Sequence, residues 1–331
     1  MARVPAPVAA VRLAVRRCLT GRPAGSLVLV ACSGGPDSLA LAAATAFLAP
    51  RLGLTAGLVT VDHRLQVGSA ARARAVASWA GDAGFAPVEV ATVEVSGLPG
   101  GPEAAARTAR YAALSAAARR YGSPIVLLGH TRDDQAETVL LALARGAGPR
   151  GLSGMPYRRE VFVRPLLDVA RADTRKACAA LGLATWEDPH NTDPAYARSR
   201  VRADALPALI AALGPAVVDN LARTATQLAA DNNALDALAA DALAAARVVA
   251  DQSAEALSIA ALVRLPDAVR TRVLHAWARE LGAPGGALSH RHVAALDALV
   301  LDWHGQGPTA LPGGIVVARR AGALTRVNDA L

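Results

Sequence analysis

Ser33-Gly34-Gly35-Pro36-Asp37-Ser38 joins a compact apolar run at 26–32 to an alanine- and leucine-rich helix that reaches about Leu48. An uninterrupted apolar run of that length, bounded by turn residues, predicts a strand buried on both faces. A strand that feeds a helix through glycines brings its backbone close to whatever binds there, and the first helical turn aims unpaired N–H groups at it. The string therefore predicts an anion cradle with the chemistry to hold a pyrophosphate, to which Ser33 and Ser38 add hydroxyl donors. Asp37 belongs beside phosphates only if a divalent cation bridges them, which implies Mg²⁺. This is not a Walker A loop, because the GK[ST] ending and its lysine are missing. The plainer alternative is a strand-to-helix turn with Asp37 as a cap.

The alternation continues beyond the loop. Strands are predicted at 55–61, 87–95, 125–128 and 161–163, and helices at 7–18, 69–82, 103–120, 133–145 and 171–181. Strands separated by helices of that length are βαβ units, so the expected fold is α/β, a doubly wound, mostly parallel sheet covered on both faces. With 331 residues the chain exceeds one ordinary domain of ~100–200 residues. The expected division is a catalytic domain over 1–215, a helical connector over 216–248 and a smaller, mainly helical domain over 249–331. The last contains helices near 267–281 and 289–301 and a β-like tail at 308–327.

Charge separates the same regions. Residues 1–220 hold 25 basic and 17 acidic side chains, whereas 221–331 hold 10 of each. The positive excess of +8 thus lies wholly in the first two-thirds, where a polyanion is expected to bind. Aromatic residues are only 3%, which argues against a stacking platform for single-stranded nucleic acid. Three scattered cysteines, Cys18, Cys32 and Cys178, form no CxxC and suit a reducing cytoplasm. No run approaches the ~18 apolar residues of a membrane helix. Arg12, Arg16 and Arg17 interrupt any signal-peptide core, so a cytoplasmic chain is expected.

Three further constellations carry chemistry. Val61-Asp62-His63 ends the second strand, and because ligands of open parallel sheets lie at the carboxyl ends of strands, Asp62 and His63 are expected to line the nucleotide pocket. Gly129-His130-Thr131-Arg132-Asp133-Asp134-Gln135-Ala136-Glu137-Thr138 crowds ionisable groups where another strand becomes a helix. Adjacent carboxylates suit a metal or a cationic amine, histidine can move protons, and Asp133 and Asp134 can also simply cap the helix. Arg107 and Arg110 share one helix face, and Arg198, Arg200 and Arg202 follow a polar stretch containing Asn191. Either arginine set can meet phosphate or form a solvated helix face.

These residues carry a resemblance. SGGPDS after a strand resembles the N-type ATP pyrophosphatase (PP-loop) superfamily, with its adenine nucleotide alpha hydrolase-like fold. VDH at 61–63, ARTARY at 106–111, the block at 129–155, RPLL at 164–167 and DPHNTDPAYARSRVR at 188–202 narrow it to the tRNA(Ile)-lysidine synthase family. The matches run in the family's order over about 26–210. The chain departs where Arg64-Leu65-Gln66 follows VDH and where Arg198-Ser199 replaces an Arg-Asn pair. Residues 249–331 have the position and size of the family's first C-terminal domain, which contacts tRNA; a second such domain is not expected.

The resemblance implies adenylation of the wobble cytidine of a CAU-anticodon tRNA(Ile) at its C2 oxygen, followed by attack of free L-lysine and loss of AMP. It places ATP on Ser33, Gly34, Gly35, Pro36, Asp37, Ser38, Asp62 and His63, with Mg²⁺ on Asp37. It gives Asp37, Arg110, His130 and Asp133 catalytic roles, Asp133 and Asp134 the lysine, and Arg107, Arg198 and Arg202 phosphates of ATP or tRNA. Two alternatives stay open: a PP-loop enzyme that thiolates a tRNA base, and a non-catalytic PP-loop binder of nucleotide or RNA. The lack of paired cysteines speaks against the first, and the full set of acidic and basic candidates against the second.

Overall fold

The structure, a computed structural model, describes residues 4–64, 68–94, 101–187, 193–250 and 253–327. Asn191, Leu65 and Gln66, and the last residue of the strand predicted at 87–95, lie outside them. The elements follow in order as α1 (Ala6–Leu19), β1 (Leu27–Ala31), α2 (Pro36–Leu48), β2 (Thr55–Asp62), α3 (Ser69–Asp82), β3 (Val88–Thr92), α4 (Gly101–Arg120) and β4 (Val126–Leu127). Then come α5 (Arg132–Ala144), α6 (Pro149–Leu152), β5 (Arg158–Arg159), β6 (Phe162–Val163), α7 (Arg171–Ala180), α8 (Ala197–Arg200), α9 (Leu206–Leu213) and α10 (Val217–Ala246). The chain divides into two compact units, Met1–Ala229 and Ala230–Leu331.

The first unit is built on a six-stranded sheet of order β3-β2-β1-β4-β6-β5. All its pairings are parallel except β5 with β6, a short antiparallel edge. Successive side chains of a strand point to opposite faces, and in β1 both sets are buried. Val28 and Val30 join Val11 and Val15 of α1, Leu41 of α2, Val76 of α3 and Ala177 of α7 in one core. Leu29 faces the other way, into a core with Leu114, Ala117 and Ala118 of α4. Helices thus cover both faces, which is why β1 reads as an apolar run without alternation. The chain order runs outward from β1 through β2 to β3 and then returns to β4 on β1's other side. The carboxyl ends of β1 and β4 therefore flank the point where a doubly wound sheet opens a crevice.

The second unit adds β7 (Arg247–Ala250), β8 (Ser253–Ser258), α11 (Ile259–Val263), α12 (Asp267–Glu280), α13 (His290–Leu301), β9 (Thr309–Leu311), β10 (Ile315–Arg320) and β11 (Ala323–Val327). Its strands form an antiparallel sheet of order β7-β8-β11-β10-β9. Leu257 of β8, Trp277 of α12, Leu296 of α13 and Leu324 of β11 pack into one core. The helices and the strands of the tail stand where the sequence puts them. The first two strands do not: the alanine-rich helix stops at Ala246, and Arg247-Val248 pair with Leu257-Ala256. Two β-branched residues after a run of alanines are a weak local signal, and only the partner strand decides it.

Candidate active site

The cradle forms from the loop between β1 and α2. Gly34 has φ +85°, a left-handed conformation, and a side chain there would meet Val76 of α3 at 3.0 Å. Its carbonyl accepts a hydrogen bond from the Trp186 N–H at 2.9 Å, so a strap at 183–187 holds the loop from outside. Gly35 caps α2 in extended conformation, with Pro36 at the first helical position. The Ser38 hydroxyl works within the loop: it donates to the Gly35 carbonyl at 3.0 Å and accepts from the Ser33 N–H at 3.1 Å. Ser33 is exposed, and its hydroxyl lies 3.2 Å from that of Ser38. Beyond β4 the chain passes so close that a Cβ on Gly129 would lie 3.0 Å from the Ser38 backbone nitrogen. That approach brings His130 and the start of α5 beside the cradle.

Asp37, in the first turn of α2, is only partly buried by neighbours of opposite charge. Its Oδ1 accepts from the Thr174 hydroxyl of α7, and its Oδ2 lies 3.8 Å from Arg171 Nε. Burial pushes its carboxyl up to about 6, Asp134 adds to the rise, and Thr174 and Arg171 only partly offset it. An under-compensated carboxylate facing an anion cradle fits a divalent cation. Among the described residues no group of three or more His, Cys, Asp or Glu side chains is placed to hold a metal. A cation on Asp37 would therefore take most of its ligands from phosphate and water, as Mg²⁺ does in nucleotide sites.

The acids of α5 are locked into a network. Asp134 accepts from both the N–H and the hydroxyl of Thr131 at 2.8 Å, forming a capping box at the head of α5. Asp133 accepts from the Arg171 N–H at 2.8 Å and so caps α7. One turn on, the fully buried Glu137 shares the face of Asp134. Arg171 bridges Asp134 at 2.8 Å and Glu137 at 2.9 Å, and Arg202 reaches Glu137 at 2.8 Å and Asp134 at 3.3 Å. Arg198 approaches Glu137 at 3.8 Å and donates to the Thr138 hydroxyl at 3.0 Å. Burial works against ionisation of Asp134, but Arg171 and the Thr131 hydrogen bonds hold its carboxyl below the usual range.

A second group, of arginines about one neutral histidine, adjoins this network. The His130 Nδ1 is buried without a hydrogen-bond partner. Burial, aided by Arg110, Arg164 and Arg107 and opposed by Asp134, pushes the imidazole well below its ordinary range and keeps it neutral. Burial likewise lowers Arg110, with Arg107 and Arg198 adding repulsion.

The structure places Asp62 and His63 at the end of β2 as expected, but Asp62 is committed to its own turn, accepting from the Arg64 N–H at 3.0 Å. With Arg64, Ser69 and Arg74 it lines a separate cavity of about 420 Å³ on the β3 side. Arg171, Thr174 and Trp186 complete the site and stand in no motif that the sequence singled out for chemistry. Glu137 and Arg164 do stand in such motifs, in the 129–138 block and in RPLL.

A parallel sheet reversing between β1 and β4, with a glycine loop and a helix N-terminus at that point, defines a PP-loop ATP-binding domain. The PP-loop domain family matches residues 13–209, and the TilS substrate binding domain family matches 257–325. The U34-tRNA thiolase NcsA of Methanococcus maripaludis, solved with its [4Fe-4S] cluster, superposes with a TM-score of 0.55 at 18% identity. It covers 67% of this chain and 79% of its own, a likeness of fold alone. A tRNA(Ile)-lysidine synthase of Salinispora arenicola is 65% identical over 99% of this chain and 98% of its own length. That of Streptomyces coelicolor is 54% identical over 96% and 97%. The chain belongs to the tRNA(Ile)-lysidine synthase family, enzymes that use ATP. The thiolation alternative is not favoured, and Cys18, Cys32 and Cys178 are all free, buried thiols.

Proposed function

We propose that the chain joins free L-lysine to C2 of the wobble cytidine of CAU-anticodon tRNA(Ile), using ATP and releasing AMP and pyrophosphate. The observation that carries the residue-level reading is a juxtaposition at one sheet edge. An anion cradle with Asp37 lies beside the buried acids Asp134 and Glu137, bridged by Arg171. Phosphate and an ammonium group thus find complementary charge side by side.

In the first step the cytidine C2 oxygen bonds to the α-phosphorus of ATP and pyrophosphate leaves. The backbone N–H groups of Gly34 and Gly35 and the Ser33 hydroxyl receive the departing phosphates, with Pro36 fixing the start of α2 and Ser38 bracing the loop. Mg²⁺ held on Asp37 would neutralise charge on the phosphate oxygens. Arg107 and Arg110 receive the charge that develops on the transferred phosphoryl group. In the second step the lysine side-chain nitrogen bonds to C2 and the C2 oxygen departs with AMP. Asp133 and Asp134 orient the lysine ammonium. The neutral His130, whose Nδ1 has no hydrogen-bond partner, stands beside the cradle to meet the phosphoryl group, and the proton the amine must lose leaves to solvent or with AMP. Asp62 and His63 bound the nucleotide end, while Arg198 and Arg202, each about a third exposed, meet the tRNA backbone. The reaction is proposed to be cytoplasmic, a reading that the three free, buried thiols support. Among the described residues no single helix is long and apolar enough to cross a membrane.

The test is incubation with ATP, Mg²⁺, lysine and CAU-anticodon tRNA(Ile), read by nucleoside mass, followed by lysine titrations of Asp133→Asn and Asp134→Asn. If the acids receive lysine, adenylated tRNA accumulates and high lysine partly restores turnover. The loss of one carboxylate facing a desolvated cation is ~2–5 kcal/mol. If adenylation itself fails in both variants, the acids serve the nucleotide or metal instead. If only stability changes, by ~0.5–2 kcal/mol, they are caps.

A further inference from the structure

Arg164 follows β6 directly and is 3% exposed. Its Nη1 donates to the Pro156 carbonyl at 2.8 Å and its Nη2 to the Tyr111 hydroxyl at 3.2 Å, while its Nε has no partner. Among the described residues no carboxylate pairs with it, nor with Arg107 or Arg110 of α4. A buried guanidinium without a counter-charge is costly. Here it is tolerated in a particular way: a phenol satisfies its N–H group without cancelling its charge.

Tyr111 is itself held from three sides. Its ring stands edge-on to Phe162 of β6 at 4.8 Å and 78°, and its hydroxyl also accepts from Arg107 Nη2 at 3.4 Å. The Arg107 and Arg110 guanidiniums lie 5.0 and 5.7 Å from its ring centre. Burial would raise this phenol, yet Arg107, Arg164 and Arg110 together bring it below its ordinary range. The phenol thus links the guanidinium that follows β6 to the two on α4. The same edge carries His130, since the Leu128 N–H bonds to the Val163 carbonyl at 2.9 Å, one residue before Arg164.

We propose that Arg164 and Tyr111 are positioning residues for adenylation, an uncancelled charge and a neutral brace that hold Arg107 and Arg110 ready for the phosphoryl oxygen of the reacting nucleotide. This rests on the synthase reading above. The missing counter-ion of the cluster is then the substrate: three guanidiniums, none paired with a carboxylate among the described residues, adjoin a neutral imidazole, and an anion supplies the charge they lack. A carboxylate in place of Tyr111 would satisfy the same N–H groups but neutralise the field that the step requires.

The experiment compares wild type with Tyr111→Phe, Arg164→Met and Arg164→Lys, measuring single-turnover formation of adenylated tRNA, ATP affinity and the thermal midpoint. Tyr111→Phe keeps the ring on Phe162 and removes one hydroxyl. It is expected to slow adenylation about 10- to 100-fold with ATP affinity within about three-fold and the midpoint unchanged. Arg164→Met is expected to fold as well as or better than wild type and to lose about 100-fold or more in rate. Arg164→Lys keeps the charge without the planar fork and should recover part of that loss. Wild-type rates in Tyr111→Phe and Arg164→Met overturn the inference, as do losses that merely follow the unfolded fraction. Wild-type protein that forms no adenylated tRNA overturns the synthase reading itself, a result distinguishable from the others.

Discussion

Arg164 and Arg270 are buried to the same degree, 3% and 2% exposed, one in each unit of the chain. Arg270 of α12 has every side of its guanidinium closed. Its Nε meets Asp297 at 2.7 Å, its Nη2 meets Asp267 at 2.7 Å, and its Nη1 donates to the Leu265 carbonyl at 2.8 Å. Hydrogen bonds to Asp297 and Asp267 hold it firmly protonated. Arg164 has a carbonyl, a phenol and an orphaned N–H. The same residue type at the same depth thus does opposite things. A charge that only has to pin α12 to α13 is fully compensated. A charge at the carboxyl edge of the parallel sheet is left open, as is Asp37 a short way along that edge.

The largest effect expected from that contrast is at Asp37. Asp37→Asn should reduce formation of adenylated tRNA at least about a thousand-fold, ~4 kcal/mol in the barrier, and leave tRNA binding nearly intact. Because burial holds this carboxyl up to about 6, its ionised form is a burden to the folded state above that pH. The amide should therefore keep the thermal midpoint at pH 7.5 equal or higher. Adenylation that survives the change, scored by transfer of labelled AMP to tRNA, would remove Asp37 from any metal-bridging role.

Glu137 sharpens the comparison from inside the first unit. Its side chain has 0% exposure and takes the charge of Arg171 and Arg202, with Arg198 beyond. It behaves as the aspartates of Arg270 do, a compensator, although it sits in the site. Glu137→Gln leaves two guanidiniums short of a partner and is expected to lower stability by ~3–5 kcal/mol in urea unfolding. A loss below ~1 kcal/mol would show that the arginines find other acceptors and that the network does not organise the edge.

How much of this was legible beforehand follows the range of each interaction. The apolar run that becomes β1 and the helix at Ser69–Asp82 are local patterns, and both stand where the sequence puts them. His130, Asp133 and Asp134 fall at one strand end because a few consecutive residues carry them there. Arg171 and Thr174 were not legible. Their partners Asp134 and Asp37 lie 37 and 137 residues away, and only the sheet order brings α7 back to the edge. The strands at Arg247–Ala250 and Ser253–Ser258 were missed for the related reason that alanine favours helix until a partner strand supplies hydrogen bonds. Ser38 and Asp62 stand at the strand ends where the sequence puts them, and their hydrogen bonds within their own loops are local contacts that no motif spelled out.

Arg270→Ala tests the closed half of the contrast. Asp267 is mostly solvated and Asp297 partly so, and neither is stranded when the guanidinium goes. The expected loss is ~1–3 kcal/mol of stability, with adenylation per folded molecule unchanged at saturating tRNA. A fall in that rate, measured well below the new unfolding midpoint, would break the division between compensated and functional charge.

The smallest effects belong to the three thiols, two of which, Cys32 and Cys178, lie close to the site yet stand outside its charge pattern. Cys32 adjoins the cradle, with its sulfur 3.6 Å from the Ser38 hydroxyl, and Cys178 lies 3.2 Å from the Pro36 carbonyl. Burial pushes both thiols up, Cys178 to about 11, so neither carries the thiolate that attacks a sulfur donor or a disulfide. Their contribution is packing. Replacing any one by alanine removes a single buried sulfur and should cost ~1 kcal/mol of stability or less. The triple variant should form lysidine within about three-fold of wild type at 20 °C, under ~0.7 kcal/mol in the barrier. Since the cysteines neither pair nor ionise, such a result is what open charge at Asp37 and Arg164, rather than sulfur chemistry, requires. Near-complete loss of activity in a triple variant still folded by circular dichroism would reverse that assignment. It would place a thiol among the reacting groups and reopen the sulfur-transfer alternative at the loop itself.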